Sequence, residues 1–383
     1  MLVTTRRTLL GTAALTGLSL PYIVRAADKE PLKIGNALPL TGSQAGYGND
    51  FNTGMRMAAK DITLAGGILG RPVEIVALDT QADPQLGINA VNRFIGVEKL
   101  PMFFVAWSAV VKAVAPIANR EKVLAINQGA NAPEIAHLGD YLYTAFPLAD
   151  VDITKLAKYM YGTLGKRRAA VFYINNETGI DAAKLYRDTF SAAGGQVVAF
   201  EAYDPKATEF TGMLLKGRAA NPDTVHIHGL LADTPQVIAQ MRQLGMTQRI
   251  STYSAGYNPK ILEQLGAAAE GLIVTSLAPG VADNKNVQGL LDRWKSEQNR
   301  VPNGLPYVQY QYDMVYLTKA LYEYIDKKSL PASGDSLIEA LLTVKEFDLP
   351  MTGKMIFDGH RIDKTVYLLT VEKGTFVPLA TLS

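Results

Sequence analysis

The sequence has no cysteine among its 383 residues. That excludes disulfides, thiolate metal sites and a thiol nucleophile. It also excludes a lipid-modified N-terminal cysteine, so an exported form is expected free in its compartment. Histidine is scarce: His137, His226, His228 and His360 are the only four, and they show no metal-ligand spacing. No Gly-Lys-Ser/Thr occurs, so there is no P-loop. An excess of positive charge is missing too. The formal net charge is +2, and it falls to −1 without Arg6, Arg7 and Arg25 of the first 26 residues. A nucleic acid backbone is not an expected partner.

A long uninterrupted apolar run is also lacking. The longest candidate, LPMFFVAWSAVVKAVAPIA over 100–118, is broken by Pro101, Lys112 and Pro116 and reads as a strand followed by a helix. The N-terminus is different. Arg6-Arg7 forms a basic region, Leu9 to Leu20 a short apolar region, and Val24-Arg25-Ala26 a cleavage site. Residues 1–26 are therefore read as an export signal removed near Ala26, giving a periplasmic protein. The run Thr5-Arg6-Arg7-Thr8-Leu9-Leu10 resembles a twin-arginine signal, with an ordinary Sec-type signal as the alternative.

What is present is alternation. Hydrophobic residues make up 48% of the chain and charged residues 19%, as a folded globular chain requires. Short apolar runs at 33–39, 73–79, 102–106 and 123–127 alternate with helical patterns, the first spanning Gly48 to Ala65. The alternation restarts with strands expected at 141–146, 168–174, 196–203 and 224–229, then RISTYS and GLIVTS. Strand–helix alternation predicts parallel sheets covered on both faces. Two series predict two Rossmann-like α/β lobes joined by a hinge of short crossings. Residues 284–342 read as mostly helical, and the tail returns to strands.

The stretch PLTGSQAGYGNDFNTGM, residues 39–55, looks at first like a phosphate loop. Gly46-x-Gly48 lacks its third glycine, because Phe51 stands there. What remains is a turn at a helix start, which suits a small anion. Catalytic machinery is not visible: Ser254 in TYSAGY lacks the upstream glycine of a nucleophile elbow. His226 and His228 share a strand face, where packing is the simpler role; His228 lies nearer the ligand-binding end. Among the tyrosines of 306–317, Tyr312 and Tyr316 read as core, while Tyr307 and Tyr310 near the helix start could reach a cleft.

Five segments in order carry a family likeness: KIGNALPLTGSQAGYG, ITLAGGILGRPVEIVALDTQADP, VAWSAVVKAVAPIA, INQGANAPEI and YDPKATEF. With them the chain resembles the periplasmic solute-binding proteins of ABC importers, in the leucine/isoleucine/valine-binding branch. The resemblance implies two lobes of the type I periplasmic-binding fold, joined by three crossings and closing over one small molecule. It places the first lobe at 27–147 and about 279–342, and the second at 148–278 and about 343–383. It implies a membrane permease as partner, no cofactor, no metal, no catalytic residue and action as a monomer.

The resemblance also implies ligand contacts, residue by residue. Tyr47 packs on the ligand, and Trp107, Ser108 and Ala109 form the turn that holds its carboxylate. Gly129, Ala130 and Asn131 match the next loop, which supplies backbone and hydroxyl contacts. Phe146, Leu148 and Asp150 lie where the chain enters the second lobe, and Leu230 and Leu231 follow the strand holding His228. Amino-acid binders of this kind place an acid in the second lobe against the ligand's ammonium; here Ala255 stands at that position. Asp150 or Asp233 could compensate, although both also read as helix N-caps. The expected ligand is a carboxylate without an α-amine, such as an aromatic or 2-oxo acid, in a pocket that also includes Tyr253 and Tyr257. Conventional branched-chain amino acid binding, a ligand-sensing receptor of the same fold and a periplasmic enzyme remain the alternatives.

Overall fold

The computed structural model describes residues 29–280 and 284–382; the segment read as an export signal lies outside the described residues. The chain begins as five parallel strands, β1 (Leu32–Leu38), β2 (Val73–Asp79), β3 (Met102–Val105), β4 (Leu124–Asn127) and β5 (Leu142–Thr144), ordered β2-β1-β3-β4-β5. Helices α1 (Ala45–Leu64), α2 (Pro84–Gly96) and α3 (Ser108–Glu121) make the crossovers. β3 and β4 are buried at every residue, which is why they read as continuous apolar runs. Asp83 caps α2 by accepting from Leu86 N–H at 2.9 Å, with Pro84 fixing the first turn.

The second unit is built by α4 (Ala149–Gly162), β6 (Arg168–Ile174), α5 (Glu177–Ala192), β7 (Gln196–Tyr203), α6 (Thr211–Ala219), β8 (Thr224–His228), α7 (Thr234–Gln243), β9 (Arg249–Thr252), α8 (Pro259–Leu265) and β10 (Ile273–Ser276). The chain then returns through α9 (Lys285–Gln298), α10 (Leu305–Lys327) and α11 (Gly334–Val344). These helices belong to the first lobe. Arg293 of α9 donates to both oxygens of Asp61 on α1, at 2.7 and 2.8 Å. α10 lies against α1 so closely that a β-carbon at Gly54 would stand 3.2 Å from the Val308 carbonyl oxygen.

The tail divides between the lobes. β11 (Glu346–Leu349), β12 (Gly353–Asp358) and β13 (Arg361–Asp363) form a small antiparallel sheet of their own beside β5, where Thr144 N–H donates to His360 O at 2.8 Å. Asp313 of α10 grips the same region, accepting from Met351 N–H, Thr352 N–H and Thr352 Oγ1 at 3.0, 2.7 and 2.6 Å. Only β14 (Val366–Glu372) and β15 (Thr375–Leu382) join the second sheet, whose order is β15-β14-β10-β9-β8-β6-β7. The expected second-lobe boundary near 343 therefore moves to 364–365. Three passages link the lobes: 145–148 after β5, the segment from β10 to α9, and 364–365 between β13 and β14. β14 and β15 pair antiparallel, so the second sheet is mixed rather than wholly parallel.

Candidate ligand-binding site

Ligands of open α/β sheets bind outside the C-terminal ends of the strands. Here those ends face each other across the lobes. Gln44 and Tyr47 follow β1, Trp107 and Ser108 follow β3, and Gly129, Ala130 and Asn131 follow β4. From the other lobe Thr178 follows β6, Leu230 follows β8, and Tyr253 and Ala255 follow β9. Phe51 of α1 and Tyr307 of α10 complete the wall around a cavity of about 50 Å³.

In the first lobe the chain turns sharply at Trp107, whose φ of 67° and ψ of 122° lie where few non-glycine residues are found. That turn carries its indole against Phe51, with centroids 5.5 Å apart, and starts α3 at Ser108. Ser108 is 2% exposed, and its Oγ has no partner in the protein. The first N–H groups of a helix likewise lack intrahelical acceptors, and their dipole favours an anion. A hydroxyl and a helix start thus converge without a formal cation.

The next loop is held from inside. Asn127 Oδ1 accepts from the N–H groups of Gly129 and Ala130, at 3.1 and 2.8 Å, and its Nδ2 donates to Ala130 O at 2.8 Å. These backbone donors are therefore committed to Asn127, which corrects the expectation that they serve the ligand. Gly129 is required for packing: a β-carbon there would stand 2.9 Å from Phe51 Cε2.

The opening glycine-rich turn needs a similar correction. Ala45 N–H donates to Gly42 O and Tyr47 N–H to Gln44 O, so these donors are not aimed at an anion. A β-carbon on Gly48 would collide with the Pro39 carbonyl at 1.9 Å, so that glycine lets α1 pack on the end of β1. The turn supplies a wall. Asp50, fully buried one turn along, accepts from Asn303 N–H at 2.7 Å, Asn303 Nδ2 at 2.8 Å and the Arg300 guanidinium. This knot fastens the start of α10 beside α1 and sets Tyr307 next to Tyr47, with centroids 5.9 Å apart.

In the second lobe His228 is fully buried beneath Tyr253, the rings stacked at 3.9 Å with an interplanar angle of 13°. His226 stacks on Tyr186 at 4.1 Å, and burial depresses its pKa to about 3. Burial lowers His228 as well, so both rings are neutral and serve packing. Three hydrogen bonds at the first lobe's tyrosines cross the cleft, one of them from Asn258 Nδ2 to Tyr47 Oη. Tyr47 Oη donates to Ala255 O at 3.0 Å, and Ser254 Oγ and Tyr307 Oη are 2.9 Å apart.

Among the described residues lining the cavity, none carries a formal charge. An acid, Asp233, lines the mouth of the cleft together with Ala109 and Ser43. It accepts from Leu230 N–H at 3.0 Å and from the Tyr203 hydroxyl. Although it holds the N-cap position of α7, its side chain makes no capping bond.

Most of the expected ligand residues meet here: Tyr47, Trp107, Ser108, Gly129, Ala130, Asn131, Leu230 and Ala255 line the cavity, and Ala109 its mouth. Phe146 does not. It is fully buried behind Tyr307, stacked on it at 4.9 Å. Asp150 lies outside the cavity lining and is not the cap: Leu148 holds the cap position, and Asp150 pairs with Arg361 at 2.5 and 2.9 Å. Tyr257 turns its ring to Phe376, 5.0 Å away, and Tyr310 Oη donates to Leu277 O. Gln44, Phe51 and Thr178 were not foreseen; the spacing of Phe51 four residues after Tyr47 was the available signal.

Comparison with known proteins agrees with this geometry. Residues 31–375 match the model of a family described as periplasmic binding protein. The leucine-, isoleucine-, valine-, threonine- and alanine-binding protein of Pseudomonas aeruginosa is 26% identical over 347 residues, covering 89% of this chain and 90% of that one. A leucine-binding protein from Thermotoga maritima superposes with a TM-score of 0.81 at 24% identity, over 92% of this chain and 98% of the other. An R. palustris solute-binding protein in complex with benzoate gives 0.81 at 18% identity, over 92% and 96%. At these identities the two structures speak to the fold. The chain belongs to the periplasmic binding protein family.

Proposed function

We propose that this protein captures a small carboxylate lacking an α-amine by closing its lobes, and presents it to the membrane permease of an ABC importer. The observation that carries the reading is the absence of formal charge among the described residues lining the cavity, Ala255 among them. A buried ammonium without a counter-charge costs several kcal/mol, enough to remove useful affinity. A carboxylate fares better: Ser108 Oγ and the start of α3 offer neutral donors. Tyr47, Phe51, Trp107, Tyr253 and Tyr307 supply flat apolar walls for the ligand body.

A second reading, binding of branched-chain amino acids themselves, is favoured by the names of the relatives. A thermal-shift panel on the purified protein separates the two. Each amino acid is compared with the matched acid lacking the amine, at about a hundred times the dissociation constant, where binding adds about 2.7 kcal/mol. Stabilisation by aromatic or 2-oxo acids alone supports the first reading. Stabilisation by leucine or valine alone replaces it with the second.

A further inference from the structure

Five hydroxyl groups border the cavity, from Ser108, Thr178, Tyr47, Tyr307 and Tyr253, and they are not equivalent. Tyr47 donates to Ala255 O and accepts from Asn258 Nδ2 at 3.1 Å, while Tyr307 is bonded to Ser254, so both are committed across the cleft. Ser108 Oγ is free at the start of α3. Among the described residues, none hydrogen-bonds Tyr253 Oη, although Tyr253 is only 2% exposed. Its ring cannot turn away, because it lies flat on the buried His228 at 3.9 Å. His228 offers no bond in exchange, since neither of its ring nitrogens has a partner. The second lobe thus presents to the cavity a phenolic hydroxyl that is oriented and unpartnered, on the loop that carries Ala255.

We propose that Tyr253 is a specificity-determining residue, whose hydroxyl recognises a neutral oxygen on the ligand and narrows the ligand class to hydroxy- or oxo-substituted carboxylic acids. This rests on the carboxylate reading above, with Ser108 taking the carboxylate. A phenol held neutral by burial donates to an oxo group or exchanges a hydrogen bond with a hydroxyl. It offers no charge to an ammonium. An acid lacking that oxygen leaves the hydroxyl unpaired when the lobes close, a loss of about 5- to 100-fold in affinity.

The test is isothermal titration of the purified protein and Tyr253→Phe with pairs of acids differing by one oxygen: benzoate against 3- and 4-hydroxybenzoate, and 4-methylpentanoate against 4-methyl-2-oxopentanoate. The variant keeps the ring on His228, and a matching circular dichroism spectrum checks its fold. In at least one pair the oxygenated acid should bind about tenfold tighter to the native protein. That preference should vanish in Tyr253→Phe, whose ring has no hydroxyl to leave unpaired. Equal binding of both members in every pair overturns the proposal, as does a preference that survives in the variant. If neither plain nor oxygenated acids bind, the carboxylate reading itself fails and takes this proposal with it.

Discussion

Tyr47 Oη, on the first helix of the first lobe, donates to the carbonyl of Ala255 in the second lobe at 3.0 Å, and Asn258 donates back to the same oxygen. The pair from Tyr307 to Ser254 makes a second bridge of 2.9 Å. The closed arrangement is thereby held partly by protein groups alone. Removing either hydroxyl, in Tyr47→Phe or Tyr307→Phe, should weaken ligand binding about fivefold through faster release. Stopped-flow dissociation rates measure this, and small-angle scattering of the ligand-free double variant should show a larger radius of gyration. Unchanged release and radius would mean that the bridges add nothing to closure.

Ser108→Ala should separate binding from stability. The hydroxyl has no partner in the protein, so its loss is expected to leave the urea midpoint unchanged or slightly raised. A charge-assisted bond to the ligand carboxylate is worth about 1.5–3 kcal/mol, so affinity should fall by about ten- to a hundredfold. A variant that binds normally would remove Ser108 from the site.

Ala255→Glu should convert the preference. Placing a carboxylate in this charge-free cavity gives an ammonium its counter-charge and repels a bare acid. Titration should show leucine gaining at least about tenfold and plain acids losing as much. If leucine gains nothing, position 255 is not where an ammonium would sit.

Asp152, in the first turn of α4, is fully buried and accepts from Thr275 Oγ1 at 2.7 Å. Burial pushes its pKa up to about 7, above the ordinary value of 3.8. The folded form therefore holds a proton that the unfolded chain releases between those pH values, so stability falls as pH rises through the window. Asp152→Asn should remove that part of the slope, and its stability relative to the native protein should rise between pH 4 and pH 7 by a few kcal/mol. Urea denaturation at four or five pH values reads this directly. Parallel slopes for the two proteins would show that Asp152 ionises normally.

The strands were the most legible part of the fold, and the reason is burial. The runs at 168–174 and 196–203 match β6 and β7 because continuous or alternating apolar side chains end at clear helix signals. The start of α1 was less clear. It begins at Ala45 rather than Gly48, since glycine, serine and glutamine carry no periodicity and Gln44 provides no side-chain cap. Site residues that follow strands directly, such as Ser108 and Leu230, could be placed from sequence. Phe146 and Asp150 could not, because their roles depend on Tyr307 and Arg361, which are distant in the chain. The division of the tail was hidden for the same reason: His360, just before β13, meets β5 through its carbonyl and its ring, a contact between segments distant in the chain.

The two tryptophans stand in opposite surroundings. Trp294 is fully enclosed in the first lobe, whereas Trp107 borders the cavity against Phe51. An occupant of the cleft therefore meets one indole and leaves the other untouched. The protein carries its own optical reporter: a ligand-dependent change in intrinsic emission should come from Trp107, over a constant background from Trp294, and Trp107→Phe should abolish the change.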